Sequence, residues 1–464
     1  MSEHVIEAGQ GRRPVAVVIL AAGRGTRMRS ARPKVLHEVG AAPLLHHAMA
    51  AAEALAPERL AVVVGHGAEA VAAAARARVP SVAVCLQQEQ LGTGHAVMAA
   101  APALAGFSGD LIVLFGDTPF VSAESLAGLR ALLKTHALAV LGFEAADPGR
   151  YGRLVIGADG ALERIVEAKD AGPEERALVT CNSGVMAGDC ATMLELLGQV
   201  RADNAQREYY LTDLPGLARG TGRTTGIVFC PEAETLGVND RVQLAAAEAA
   251  FQAAARAAAM RAGATLIAPE TVFLAQDTEL GEDVTVEPHV VFGPGVRVAD
   301  GARIRAFSHL EGAEVGPGAV VGPYARLRPG TRLGADVRIG NFVELKNAQM
   351  DAGAKAGHLS YLGDVSVGSE ANIGAGTITC NYDGVDKHRT DIGAGAFIGS
   401  NTALIAPVCV GDGAYVATGT VITRSVPDDA LAIARTQQQN RDSGATRLRT
   451  TLAARKAAKA QRKP

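Results

Sequence analysis

LGEDVTVEPHVVFGPGVRVADGARIRAFSHL, residues 280–310, carries a large apolar residue at every sixth position: Leu280, Val286, Phe292, Val298, Ile304 and Leu310. A period of six fits neither the 3.6 of a helix nor the 2 of a long strand. It fits a triangular coil with three short strands per turn, the large residue inward and a small one at the corner. After a one-residue slip at Val315 the phase resumes through Val321, Leu327, Leu333, Ile339 and Leu345. It returns at Val367 and Ile373, then runs from Ile392 through Ile398, Leu404, Val410 and Val416 to Ile422. This predicts a left-handed parallel β-helix of hexapeptide repeats over 263–440. The polar stretch CNYDGVDKHRTD, 380–391, interrupts the period and is expected to project as a loop, where solenoids commonly place function.

Before the repeats, VQLAAAEAAFQAAARAAAMRA (242–262) has no Gly or Pro and is dominated by alanine, which predicts a linking helix. Over 15–241 the β-branched runs VAVVIL, LAVVVG, SVAVCL, LIVLFGD and ALAVLGF alternate with helical stretches, the rhythm of a mostly parallel, Rossmann-like α/β sheet. An extension over 1–14 precedes it. A tail over 441–464 carries Arg447, Arg449, Arg455, Lys456, Lys459, Arg462 and Lys463 against one aspartate, and reads either as a solvated end or as an arm touching anions. With 464 residues and 48% hydrophobic content, the chain can bury two cores. A net charge of −3 gives no overall reason to expect nucleic acid, so small-molecule substrates are expected. With no signal segment and no long apolar run, neither secretion nor membrane insertion is expected, and a cytoplasmic protein is. The six cysteines show no CxxC spacing, so reduced thiols are expected.

Directly after the first strand run stands LAAGRGTRM, with Gly23, Gly25 and Arg27, followed by Pro33 and Lys34. Such glycines let backbone N–H groups approach a polyphosphate, a following helix N-terminus would add positive potential, and the two cations can neutralise a departing pyrophosphate. A dinucleotide fingerprint fits less well, because Met28 stands where the third glycine belongs. Asp117, after LIVLFG, should emerge at a strand's carboxyl end, where α/β sheets place ligands and divalent metals. QQEQLGTGHA, from Gln87, supplies amides suited to a base edge.

LAAGRGTRM with PK downstream, EQLGTGHA and a GD after a hydrophobic strand, in that order, resemble the sugar nucleotidyltransferases. YGR at Tyr151, IVEAKD, CNSG and GVND look like that family's sugar and second metal segments. With the repeat domain attached, the chain is similar from about Val15 to Arg435 to the bacterial bifunctional N-acetylglucosamine-1-phosphate uridylyltransferases and glucosamine-1-phosphate N-acetyltransferases. The resemblance implies Mg²⁺ held by Asp117 and Asn239. It implies phosphates and nucleotide at Leu20, Gly23, Arg27 and Lys34, uracil at Gln87, Gly92 and Thr93, and the acetylated sugar at Gly152, Glu167 and Asn182. Arg24, Phe115 and Ser183 depart from the family's usual residues without removing a charge or a metal donor.

On the β-helix, Arg328 and Lys346 lie eighteen residues apart and can stack one coil above the other, where two cations without an evident acid partner suit a phosphate. His358, in AGHLSYLGD, is the natural general base for an amine that must lose a proton before attacking a thioester. The resemblance makes it the proton acceptor, with Glu344 to orient it. Arg328, Lys346, Tyr361, Asn372 and Lys387 then match contacts to the acceptor sugar phosphate, and Ala375, Asn381, Tyr382, Ser400, Thr418 and Arg435 match contacts to acetyl-CoA. Thr418 stands where alanine is common. A homotrimer, with UTP and acetyl-CoA as co-substrates, is implied as well.

Overall fold

The structure, a computed structural model, describes residues 13–460. Residues 1–12, most of the expected extension, and 461–464, the end of the expected tail with Arg462 and Lys463, lie outside the described residues. The chain divides into two compact units. One runs to Ala262 and takes in Val272–Thr278 and Phe292–Gly295; the other holds Gly263–Thr271, Glu279–Val291 and the chain from Val296.

Among the described residues the first unit is built on a nine-stranded sheet: β1 (Val15–Ala21), β2 (Arg59–Val64), β3 (Ala83–Leu86), β4 (Asp110–Phe115), β5 (Leu138–Glu144), β6 (Arg153–Ile156), β7 (Leu162–Val166), β8 (Thr180–Asp189) and β9 (Thr225–Phe229). Their order is β9-β5-β8-β4-β1-β2-β3, with the pair β6 and β7 attached through β8. β1 runs parallel to β2 and β4, while β8 is antiparallel to both β4 and β5. Every residue of β1 is buried: Val15, Val17, Ile19 and Ala21 join one core, and Ala16, Val18 and Leu20 the other. An unbroken apolar run is what a strand covered on both faces requires. The linking helix spans Arg241–Arg261, with the Asp240 carboxylate accepting from the Val242 and Gln243 N–H groups at 2.9 Å. Gln252 of this helix is buried and exchanges hydrogen bonds with the Leu274 backbone at 2.7 and 2.9 Å.

The second unit is a left-handed parallel β-helix of two- to seven-residue strands. On one face Ile339, Ala356, Ile373, Ile398 and Val416 stand in register, all buried; on the next, Leu327, Leu345 and Leu362 do. Met350, Ala356, Leu362 and Thr379 fill the inward places where the sequence pattern lapses. Thr379 pairs with Leu404, and its hydroxyl satisfies the buried Gly363 backbone. One corner departs from the small residue expected there. His289, Phe307, Tyr324 and Phe342 occupy it at positive φ, with successive ring centroids 4.8, 4.9 and 5.2 Å apart. Side chains at that corner point outward, so size is not limited, and stacking between coils offsets the backbone cost. The residues after Cys380 leave the coil as a loop, pinned where Asp383 accepts from Val385 and Asp386 N–H at 2.8 Å and meets His388 Nε2 at 2.7 Å.

Candidate active sites

At the carboxyl ends of β1 and β4, Leu20, Gly23, Lys34, Gln87, Gly92, Thr93 and Asp117 line one cavity of about 220 Å³. Gly25 turns the loop after β1 at φ +57, and a Cβ there would come within 2.6 Å of the Lys34 side chain. The loop does not open an α-helix: Thr26–Met28 is a single 3₁₀ turn ended by Arg29 at φ 47. Pro33 then leads into a second short turn, Lys34–Leu36. The helix-terminus potential expected here is therefore absent, and cationic side chains remain. Lys34 Nζ meets the Asp117 carboxylate and donates to Asn239 Oδ1 at 3.2 Å; Arg27 donates to the same oxygen at 2.9 Å. Asn239 reaches Asp117 because the Val238 N–H donates to the Asp117 carbonyl at 2.9 Å. Two oxygen donors and two cations from four segments thus converge.

Gly152, Glu167 and Asn182 form a second cluster. A Cβ on Gly152 would lie 3.6 Å from Asn182 Cβ and 3.7 Å from a Glu167 carboxylate oxygen. Burial pushes the Glu167 carboxyl above its usual range, with Asp170, Asp213 and Glu208 adding to the effect and the Thr212 hydroxyl, donating at 3.1 Å, opposing it. Phe115 lines this first cavity and packs over Gly184, two residues beyond Asn182, so the clusters adjoin. Gln90 of the QQEQ stretch lines the cavity too, as does Glu208, which sequence analysis does not single out because REYY carries no signal.

On the β-helix the expected residues fall into two columns. Asn341 and His358 are in register at one corner, and the coil-to-coil hydrogen bonds continue that line: Gly376 N to His358 O, Asn401 N to Ala375 O, Gly419 N to Ser400 O, and the Arg435 guanidinium to Thr418 O. His358, Ala375, Ser400, Thr418 and Arg435 therefore succeed one another coil by coil. On the adjoining face Glu344 is in register with Tyr361, and Arg328 stands one coil from Lys346. Arg328 does have an acid partner: its guanidinium donates to Glu344 at 2.9 Å. Glu344 is thereby engaged, and it is Asn341 Oδ1, 2.6 Å from His358 Nδ1, that orients the imidazole. Asn372 lies across the corner beside Lys355, while Lys387 sits in the loop, 4.9 Å from the Tyr382 ring centroid. Asn381 is tied to Asp364, whose other oxygen accepts from Asn347 at 2.7 Å.

Residues 17–184 match the MobA-like NTP transferase domain, and 312–347 match the bacterial transferase hexapeptide, six repeats. The chain is 61% identical to the bifunctional protein GlmU of Ruegeria sp. (strain TM1040), over 96% of this chain and 99% of that protein. It is 58% identical to that of Cereibacter sphaeroides, over 98% of this chain and 100% of the relative. The GlmU of Jannaschia sp. (strain CCS1) is 55% identical over 97% and 99%. Since identity above one half runs through both units and their junction, the chain belongs to the GlmU family of bifunctional proteins.

Proposed function

We propose that the two activities of this bifunctional transferase are divided between the residue sets above: acetylation of glucosamine 1-phosphate by acetyl-CoA on the β-helix, then transfer of UMP from UTP to N-acetylglucosamine 1-phosphate in the first unit. The product, UDP-N-acetylglucosamine, supplies peptidoglycan and lipopolysaccharide synthesis. In the first reaction Arg328, Lys346, Tyr361, Asn372 and Lys387 hold the sugar phosphate. Asn341 Oδ1 can only accept, so the His358 proton sits on Nδ1 and the Nε2 lone pair takes the proton from the substrate ammonium. The freed amine attacks the thioester carbon, the carbon–sulfur bond breaks, and the coenzyme leaves as thiol. The column from Ala375 to Arg435, with Asn381 and Tyr382, runs beside the coenzyme. Asn372 and Tyr361 stand on different faces of one chain, which favours a site closed by a neighbouring copy in a homotrimer.

In the second reaction an oxygen of the sugar phosphate attacks the α-phosphorus of UTP and pyrophosphate leaves, so no side-chain nucleophile is needed. Gly152, Glu167 and Asn182 orient the sugar; Gln87, Gly92 and Thr93 take the uracil. Asp117 and Asn239 fit Mg²⁺, since a carboxylate and an amide oxygen are hard donors that leave room for phosphate and water. Bound there, the ion offsets the negative charge that repels the nucleophile. Lys34 and Arg27 turn from these oxygens to the phosphates, and Leu20 and Gly23 wall the pocket. The cytoplasm is the compartment proposed.

The observation that carries this reading is the Lys34 ammonium shared by Asp117 and Asn239 at the strand ends. Purified protein given glucosamine 1-phosphate, acetyl-CoA, UTP and Mg²⁺ should form UDP-N-acetylglucosamine. Omitting UTP or Mg²⁺ should leave N-acetylglucosamine 1-phosphate. No product under any condition would overturn the assignment.

A further inference from the structure

Gln87 is buried to all but 3% of its surface, yet it lines the cavity of the first unit. Its side-chain nitrogen lies 3.1 Å from the Gly92 carbonyl and 3.1 Å from His95 Nδ1. A carbonyl oxygen only accepts, so the Gln87 atom facing it is the NH₂ group. His95 Nδ1 must then accept the second amide proton, which places the imidazole proton on Nε2. Both Gln87 N–H groups are spent. Its Oε1 has no donor among the described residues, nor has the Gly92 N–H an acceptor.

We infer that His95 is a specificity-determining positioning residue: together with the Gly92 carbonyl it locks the Gln87 amide with its oxygen toward the base, so that the pocket takes a pyrimidine carrying N3–H and rejects one with a bare N3. The inference rests on the reading that Gln87 faces the uracil. Uracil presents a donor at N3 beside an acceptor at O4, which complements Gln87 Oε1 beside the Gly92 N–H. Cytosine presents the reverse pair, N3 lone pair and N4 amino group. A Gln87 free to rotate could turn its NH₂ to a bare N3, because its two ends are nearly isosteric, and only the fixed Gly92 N–H would then oppose the cytosine amino group. Three features keep the lock in place. Gly92 holds φ +112, where a Cβ would come 2.6 Å from the Tyr209 carbonyl. Tyr209 accepts from Gly94 N–H and donates its own N–H to Leu91 O, both at 2.8 Å. The His95 ring lies 6.3 Å from the Tyr209 ring, centroid to centroid.

The test compares kcat/KM for UTP and CTP in the full-length enzyme. His95→Phe keeps a ring against Tyr209 but offers no acceptor. His95→Asn restores one, since its Oδ1 stands where Nδ1 stood. The UTP-to-CTP ratio should fall by about tenfold or more in His95→Phe, a hydrogen bond's worth of discrimination. It should return toward the wild-type ratio in His95→Asn, and acetyl transfer should be unchanged in both. An unchanged ratio in a His95→Phe protein that still acetylates overturns the lock. Wild-type enzyme that does not prefer UTP overturns instead the reading of the pocket. Should His95→Phe fail to fold, long-range ¹H–¹⁵N correlation of histidine-labelled wild type decides, with the His95 signal assigned from its loss in His95→Asn. The Nε2–H tautomer is expected, and an Nδ1–H tautomer overturns the inference.

Discussion

Lys34 meets both Asp117 and Asn239, the two proposed metal donors, whereas Arg27 reaches Asn239 alone. Removing it leaves no cation to gather the two oxygens and only Arg27 to meet the pyrophosphate proposed to leave. Lys34→Met should therefore lower uridylyl kcat by about 10²–10³-fold while leaving acetyl transfer intact; equal loss of both activities in folded protein would refute the division of labour. Glu167 is a different kind of residue, because burial sets its state. Its carboxyl binds a proton more tightly folded than unfolded, so stability is present below the unfolded value and declines as pH rises through the raised one. Glu167→Gln should raise Tm above wild type at pH 8 and match it below the ordinary carboxylate range. Its kcat/KM for the sugar phosphate should fall by about ten- to a hundredfold, the loss of a hydrogen bond to a charged group. A Tm difference constant with pH would show that the carboxyl is not buried as described.

A strand end, rather than a motif, orients His358, the proposed acetyl-transfer base. Asn341 closes Arg338–Asn341, and the parallel register sets it opposite His358 at the end of Lys355–His358. Asn341→Ala frees the imidazole to take either tautomer and should reduce acetyl kcat about tenfold. Asn341→Asp keeps the contact but stabilises imidazolium, so the acidic limb of the kcat/KM profile should move to higher pH; an unshifted limb in an active enzyme would exclude the contact. Asn341 was illegible because at a coil corner it reads as an ordinary turn residue, and only the register reveals its neighbour. The repeat itself was legible wherever its inward residue was large. It faded at Ala356 and Thr379, where a small or hydroxylated side chain fills the interior, and where one-residue slips shift the phase: Val298 pairs with Val315, but Val315 with Leu333. Sequence spacing stacks Arg328 on Lys346 and shows no acid beside it, whereas Glu344, two residues before Lys346, reaches it. The loop after β1 was placed correctly, but Arg29 at positive φ ends its turn before a helix can form.

The division of the whole molecule does not follow the chain linearly. Sequence composition puts a boundary near residue 262, where the alanine-rich helix gives way to repeats, but Val272–Thr278 and Phe292–Gly295 belong to the first compact unit. Their attachment is polar and buried. Gln252 exchanges two hydrogen bonds with Leu274, Gln276 reaches His47 Nδ1 at 3.2 Å, and the Gln276 N–H donates to the Gly40 carbonyl at 2.7 Å. A chain ending at 262 leaves Gln252, His47 and Gly40 without these partners, and each such hydrogen bond contributes about 0.5–1.5 kcal/mol. At about 2–4 °C per kcal/mol for a unit of this size, the shorter chain should melt several degrees below one ending at 295. Uridylyl kcat at 25 °C should remain similar in the two, because none of these groups lines the cavity. Calorimetry on both truncations, with uridylyl transfer assayed below the lower transition, checks the prediction. Equal melting temperatures would mean that the repeats begin, energetically as well as in sequence, at the end of the helix.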